Sequence, residues 1–313
     1  MADYSVWSSS PSVDGIGAGE WGVIAAAGVF LCLACYHGSL SAARRAWCLW
    51  GLTAASLLEC LSLLNFAYSL ERPGHTAQLI FGAFFRWGGP YILSLSLVQI
   101  FGRVAWYGSI WDARRISYYW GFLRWNTSIF VVLHTIVFIV EMVGSIVVAV
   151  AATANDTPTA SAGMTVINTG LILQLLVILA FSTIAFRFRT VSREWYDGPI
   201  NGNNMKRRSW KTLLTAILAC CLLTMLAQAI KIALCVARTP PNWTIYVCNG
   251  VALFVVFVAL AVIHPCNYLP ASLTCLRFDK SLLLDASQST VTKDTKGLPS
   301  LSSSSGSSEG SSC

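Results

Sequence analysis

The chain has 313 residues, of which 55% are hydrophobic and only 11% charged, and its mean hydropathy is +0.62. Soluble domains carry about 25% charged residues, so this chain cannot cover a globule of its size with a hydrated surface. Its 21 Lys and Arg against 14 Asp and Glu therefore bear on membrane orientation rather than on nucleic acid.

Seven apolar stretches, at 21–38, 47–69, 77–101, 127–152, 164–186, 212–237 and 245–265, are long enough to cross about 30 Å of hydrocarbon as helices of about 20 residues. They are continuously apolar rather than alternating, which predicts helices and not a barrel. Residues 1–20 hold no Lys or Arg and no apolar core, so no cleavable signal is predicted and the first span directs insertion. The second span carries Glu59 at its centre. The third carries Arg86 beside Gly88, Gly89 and Pro90, which predicts a kink or an unwound turn with freed carbonyls; such breaks line transport cavities, and a passive helix kink is the commoner explanation. Glu141 falls slightly outward of centre in the fourth span and Gln174 at the centre of the fifth. Polar groups in spans are costly and are the default functional candidates. Two acids and one arginine at a common depth predict pairing of Glu59 and Glu141 with Arg86 through the bundle interior. Lys231, about one and a half turns from the outer end of the sixth span, reads as a snorkelling anchor. The seventh span has no lysine, which excludes a retinal Schiff base.

The basic residues divide sharply between the two sides. The first loop has Arg44 and Arg45, the third has Arg103, Arg114, Arg115 and Arg124, the fifth has seven from Arg187 to Lys211, and the tail has four. Against these stand only Arg72 and Arg238. The N-terminus is therefore expected outside and the C-terminus in the cytoplasm. The expected domains are an extracellular N-terminus at 1–20, a seven-helix transmembrane domain at 21–268 and a cytoplasmic tail at 269–313. The tail is serine-rich, with 12 serines after residue 280, and is expected to be disordered from about 281. Of the glycosylation triplets, Asn155 and Asn242 fall in outer loops and Asn126 at an inner boundary, so only the first two are expected to carry glycan. The basic 187–211 segment is expected to lie against anionic inner-leaflet lipid.

Most cysteines fall inside spans as small apolar filler, the Cys32-x-x-Cys35 pair included. Cys235 and Cys248 sit near outer ends, where a bridge between the sixth and seventh helices depends on a separation that sequence does not give. The histidines, His37, His75, His134 and His264, are spread along the chain, and no phosphate loop or nucleophile elbow is present. The expectation is a protein that is not an enzyme and takes no cofactor, metal or nucleic acid.

The run from Ile129 through Glu141 and Gly144, the Gly170-Leu171-Ile172-Leu173-Gln174 segment through Phe181, Tyr246-Val247 and the terminal His264-Pro265, with Gly89-Pro90 and Gly102-Arg103, resembles the fungal RTA-like lipid-translocating exporter family over roughly 47–268. The resemblance implies a seven-helix membrane protein that exports or flips amphiphiles such as sphingoid bases and contributes to tolerance of toxic lipids or drugs. It departs from the family at several positions. His134 stands where the family has Asp, Glu141 where it has Gln, and Ser62-Leu63 where Gly-Tyr follows the acid at Glu59. Ala227, Lys231 and Leu234 replace an Arg-x-x-x-Arg-x-x-Glu run, and Asn249 takes an acidic position. The candidate substrate-binding residues are Glu59, Arg86, Glu141, Gln174 and His134, beside the Gly88-Gly89-Pro90 break. The alternative is a seven-helix sensor resembling a G-protein-coupled receptor, echoed by the basic fifth connection, the serine-rich tail and His264-Pro265-x-x-Tyr268. Against that alternative, the fourth connection lacks a cysteine and the third span lacks an acidic-Arg-aromatic triplet at its end. Either way the expected location is the plasma membrane or another secretory-pathway membrane.

Overall fold

A computed structural model describes residues 16–71, 76–109, 123–154, 156–195, 209–237, 242–269 and 274, with side chains for all of these except 16–20, 70–71, 123–125, 235–237 and 242–249. Several sequence expectations lie outside the described residues: the tail beyond Thr274, His75, Asn155, the Asn242 side chain, the Cys235 and Cys248 side chains, and 196–208 of the basic segment.

Among the described residues all regular structure is helical. Seven long helices follow one another: α1 (Ile16–Ala43), α2 (Trp50–Glu71), α3 (Thr76–Gly108), α4 (Leu123–Ala154), α5 (Thr157–Val191), α6 (Trp210–Ala237) and α7 (Asn242–Val262). Single 3₁₀ turns stand at Trp47–Leu49, Ser192–Glu194 and Pro265–Asn267. Six of the seven contain stretches long and apolar enough to cross a membrane. The exception is α3, whose middle reads Arg86-Trp87-Gly88-Gly89-Pro90-Tyr91 and dilutes its hydropathy, although the helix runs for 33 residues. The chain is therefore a multi-pass membrane protein.

Each helix packs on its neighbours in sequence, as short connections require. In addition α3 meets α6 and α5, and α7 meets α1 and α2. Outward faces are apolar: on α4, Ile129, Val132, Ile136, Ile139, Val143 and Val150 are exposed at helical spacing, the stripe expected where the solvent is hydrocarbon. The inner face is held mainly by a large cluster around Leu97, Phe101, Phe130, Phe181, Phe188, Leu213 and Phe257. A smaller cluster of Trp87, Val148, Ile167 and Leu171 lies apart from it.

The helix ends explain where the elements outrun the sequence expectation. Helix α5 starts at Thr157 rather than 164 because Asp156 caps it, accepting from the Thr159 amide at 3.2 Å and from its hydroxyl at 2.6 Å, with Pro158 in the first turn. Those hydrogen bonds from Thr159 hold the exposed Asp156 carboxyl below its ordinary value. Helix α1 ends in paired bonds from Arg45 N to Ala42 O and from Ala46 N to Ser41 O, which put Arg45 at a φ of 51°. That left-handed position normally goes to glycine. At the far end, His264 and Pro265 stop α7: the His264 ring accepts from the Cys266 amide at 3.4 Å and caps the turn that follows.

Helices α4 and α5 approach closely where Gly144 and Gly163 face each other. A Cβ on Gly144 would stand 2.9 Å from the Ile167 amide nitrogen and 3.0 Å from the Gly163 carbonyl. Small residues at such crossings let backbones pack where no hydrophobic drive separates protein from lipid.

Candidate functional site

One layer of the bundle interior is polar. Glu59 on α2 and Glu141 on α4 are each 3% exposed, Gln174 on α5 and Gln228 on α6 are buried, and Lys231 on α6 is 2% exposed. The ammonium of Lys231 acts on both carboxylates and lies 5.4 Å from the centre of the Trp87 ring, a cation–π distance. Trp87 on α3 in turn donates its indole N–H to Ser145 Oγ at 2.8 Å, and Ser145 donates to the Glu141 carbonyl at 2.8 Å. Five helices thus contribute to one small assembly of two acids, a lysine, two amides and an indole.

Lys231 is therefore not the snorkelling anchor its distance from the helix end suggested. Rotation about the helix axis decides the matter, because Thr224, Gln228 and Lys231 recur at spacings of four and three on the face that points inward. Arg86 is only half-buried, whereas the cation that acts on both Glu59 and Glu141 is the buried Lys231, the role expected of Arg86 from the sequence. A polar stripe at three-four spacing within an apolar helix was the signal in the sequence that assigned Lys231 to the interior.

Two glycines seat the carboxylates. A Cβ at Gly89 would collide with the Glu59 carboxylate, reaching Cδ at 2.9 Å, and a Cβ at Gly170 would stand 2.7 Å from Glu141 Cγ. Gly89 forms this seat inside a continuous helix: α3 runs from Thr76 to Gly108 with Pro90 within it, so the expected unwound turn at Gly88-Gly89-Pro90 is absent. Ser94 donates to the Pro90 carbonyl at 2.9 Å. Glu59 Oε1, Glu141 Oε1 and Gln174 Oε1 are buried with no hydrogen-bond partner among the described residues, and each keeps an open acceptor facing the layer.

His134, two turns before Glu141 on α4, is buried, and its Nδ1 bonds the Phe130 carbonyl at 2.8 Å. It lines a cavity of about 10 Å³ with Ser94, Leu97, Val98, Ile178, Phe181, Cys221 and Thr224, room for about one water. His134 thus joins the same interior column as Glu141, but at a lower level than the carboxylates.

The histidines are not all scattered as expected. His37 on α1 and His264 at the end of α7 are fully buried with ring centres 5.4 Å apart, and His37 Nε2 bonds the Phe257 carbonyl at 3.3 Å. They are separated by more than 220 positions in sequence, and no local pattern brings them together. Among the described residues, no group of three or more His, Cys, Asp or Glu is placed to hold a metal. Cys32 and Cys35 are exposed free thiols, while Cys60, Cys220 and Cys221 are buried free thiols.

No curated protein and no solved structure matches this chain. The family model described as RTA1 like protein matches residues 52–272, a range that starts in α2 and takes in every residue of the polar layer. The chain belongs to the RTA1-like family.

Proposed function

We propose that this protein translocates amphiphiles with a cationic head, sphingoid bases among them, and so contributes to tolerance of toxic lipids or drugs. The observation that carries the reading is the charge of the buried layer: two carboxylates face one ammonium inside an apolar bundle. A primary amine can be held there by a charge-assisted bond while its alkyl chain stays among apolar side chains and lipid. Membership of the RTA1-like family supports the same reading. No catalytic chemistry, cofactor or nucleic acid is part of it.

In this proposal α3 crosses the membrane with the other six helices, because it packs between α2, α4 and α6 and is as long as they are. The division of basic residues supports an outside N-terminus, a cytoplasmic C-terminus and a basic 187–211 segment on anionic inner-leaflet lipid. Glycan is then expected on Asn155 and Asn242 but not on Asn126, which is also buried at the start of α4. Residence in the plasma membrane or another secretory membrane follows.

The test compares cells with and without the gene for release of labelled sphinganine and for growth in its presence. Loss of the gene should slow release and sensitise growth, and wild-type protein but not Glu59→Gln or Glu141→Gln should restore both. If both variants reach the membrane at normal levels and restore full tolerance, the site is elsewhere. A receptor would instead leave release unchanged.

A further inference from the structure

The charge count of the buried layer leads beyond binding. We propose that the Glu59–Lys231–Glu141 cluster exchanges one proton for one protonated amine, with the proton passing along a buried polar column that runs to His134. The proposal rests on the amphiphile reading above and adds what drives the binding step.

Among the described residues, the charges that act on one another in this layer are two carboxylates and one ammonium, one negative charge in excess. An uncompensated charge in the interior is strongly unfavourable, so the site resolves the excess by taking up either a proton or a bound cation. Each carboxylate has an unpartnered buried oxygen to receive it, and the Gly89 and Gly170 seats hold both acids at the layer. The exchange balances: a carboxyl O–H breaks, its proton leaves, and R–NH3+ takes its place beside the carboxylate. The cluster with its occupant is neutral before and after, so the large cost of a bare charge is never met.

Among the described residues, the groups near the cluster are few. Helix α2 offers Glu59, α4 offers Glu141 with His134 two turns away, and α6 offers Lys231 with Cys221 at the far end of the column. Helix α3 offers Trp87 beside half-buried Arg86, and α5 offers Gln174, which does not titrate. Trp87, Val148, Ile167 and Leu171 form an apolar cluster that takes in Trp87 beside Lys231. Thr224 and Ile178, one helical turn from Gln228 and from Gln174, line the cavity at His134, which is about 10 Å along α4 from Glu141 at 1.5 Å per residue. A water-sized space between an imidazole, Ser94 and Thr224 is a relay point for a proton.

The experiment uses the full chain in uncharged detergent between pH 5 and 7, where a primary amine is fully protonated. Sphinganine binding is followed by calorimetry in buffers of different ionisation enthalpy, which counts protons. About one proton should be released per sphinganine bound, and the apparent affinity should fall about tenfold for each pH unit lowered. N-acetylsphinganine, which carries no charge, should release none. Glu59→Gln and Glu141→Gln each leave a neutral pair and should abolish release. The wild-type count decides the matter even if neither variant folds. His134→Ala should keep the count and slow release by on the order of tenfold. Sphinganine bound with equal affinity at all pH values and without proton release overturns the exchange alone. No binding at any pH overturns the amphiphile reading with it, and an unchanged rate in His134→Ala overturns the path.

Discussion

The α4–α5 crossing gives a measurable test of how the bundle is held. In Gly144→Ala the new methyl would lie 2.9 Å from the Ile167 nitrogen and 3.0 Å from the Gly163 oxygen, whereas ordinary contact begins at 3.4 Å. The Ile167 Cγ1 side-chain atom, also at 2.9 Å, can shift, but the two backbone obstacles cannot, so α5 must retreat by about 0.5 Å over the contact. Overpacking of this kind costs about 1–3 kcal/mol. Backbone obstruction and the contacts forfeited along a retreating helix place the cost in the upper half of that range. Replacing glycine by alanine inside a helix returns up to about 1 kcal/mol, leaving a net loss of about 1–2 kcal/mol. Gly28→Ala is the matched control, since a Cβ there has nothing within 4 Å and only the helix gain remains. Thermal unfolding read by a thiol-reactive dye suits the molecule: Cys60, Cys220 and Cys221 are buried until it opens, and exposed Cys32 and Cys35 set the starting signal. The midpoint should fall in Gly144→Ala and hold or rise in Gly28→Ala. A Gly144→Ala protein as stable as the wild type would refute the close crossing.

Lys231→Met should cost about 3–5 kcal/mol by stranding two buried carboxylates and should lower the yield of folded protein far more than Arg86→Leu; equal yields would return Arg86 to the central role. Trp87→Phe removes the 2.8 Å bond to Ser145 and should cost about 0.6–1 kcal/mol in the same dye assay, with no change counting against that bond. Asp156, held below its ordinary value of about 3.9 by Thr159, supports the start of α5 above that pH and loses its contribution as pH falls through the lower folded value. Amide exchange at Thr159 should therefore quicken in acid, and an Asp156→Ala protein should exchange fast at every pH. Arg45→Gly should stabilise by about 1 kcal/mol by relieving the left-handed φ of 51°; a lower midpoint would contradict that geometry.

The helical multi-span architecture and three buried members of the polar layer are legible in the sequence: long apolar runs predict spans, and a charge or amide within such a run is expensive, so Glu59, Glu141 and Gln174 announce themselves. What a linear reading misjudges is azimuth. Lys231 and Arg86 both sit inside apolar runs, and depth alone made the arginine the natural partner. Only the face of the helix distinguishes them, and the Thr224–Gln228–Lys231 spacing carried that information. The glycine seats were less legible still. Gly89 sits next to a proline and looks like a weakness in the helix until the carboxylate from α2 is seen resting on it. The early start of α5 came from a polar cap that hydropathy does not weigh, and the His37–His264 contact joins positions that no local rule relates.

That contact sets a constraint on biogenesis. His37 on α1 is made well before its partners, the Phe257 carbonyl and the His264 ring, which follow more than 200 residues later in the chain. Until then α1 can lean on α2, but a buried imidazole has nothing to hold and faces lipid or the insertion machinery. Helix α1 meets α7 only once α7 is made, so a chain stalled before Phe257 carries an unpaired imidazole on α1, a polar group that any machinery sensing polar groups in lipid would meet as unfinished.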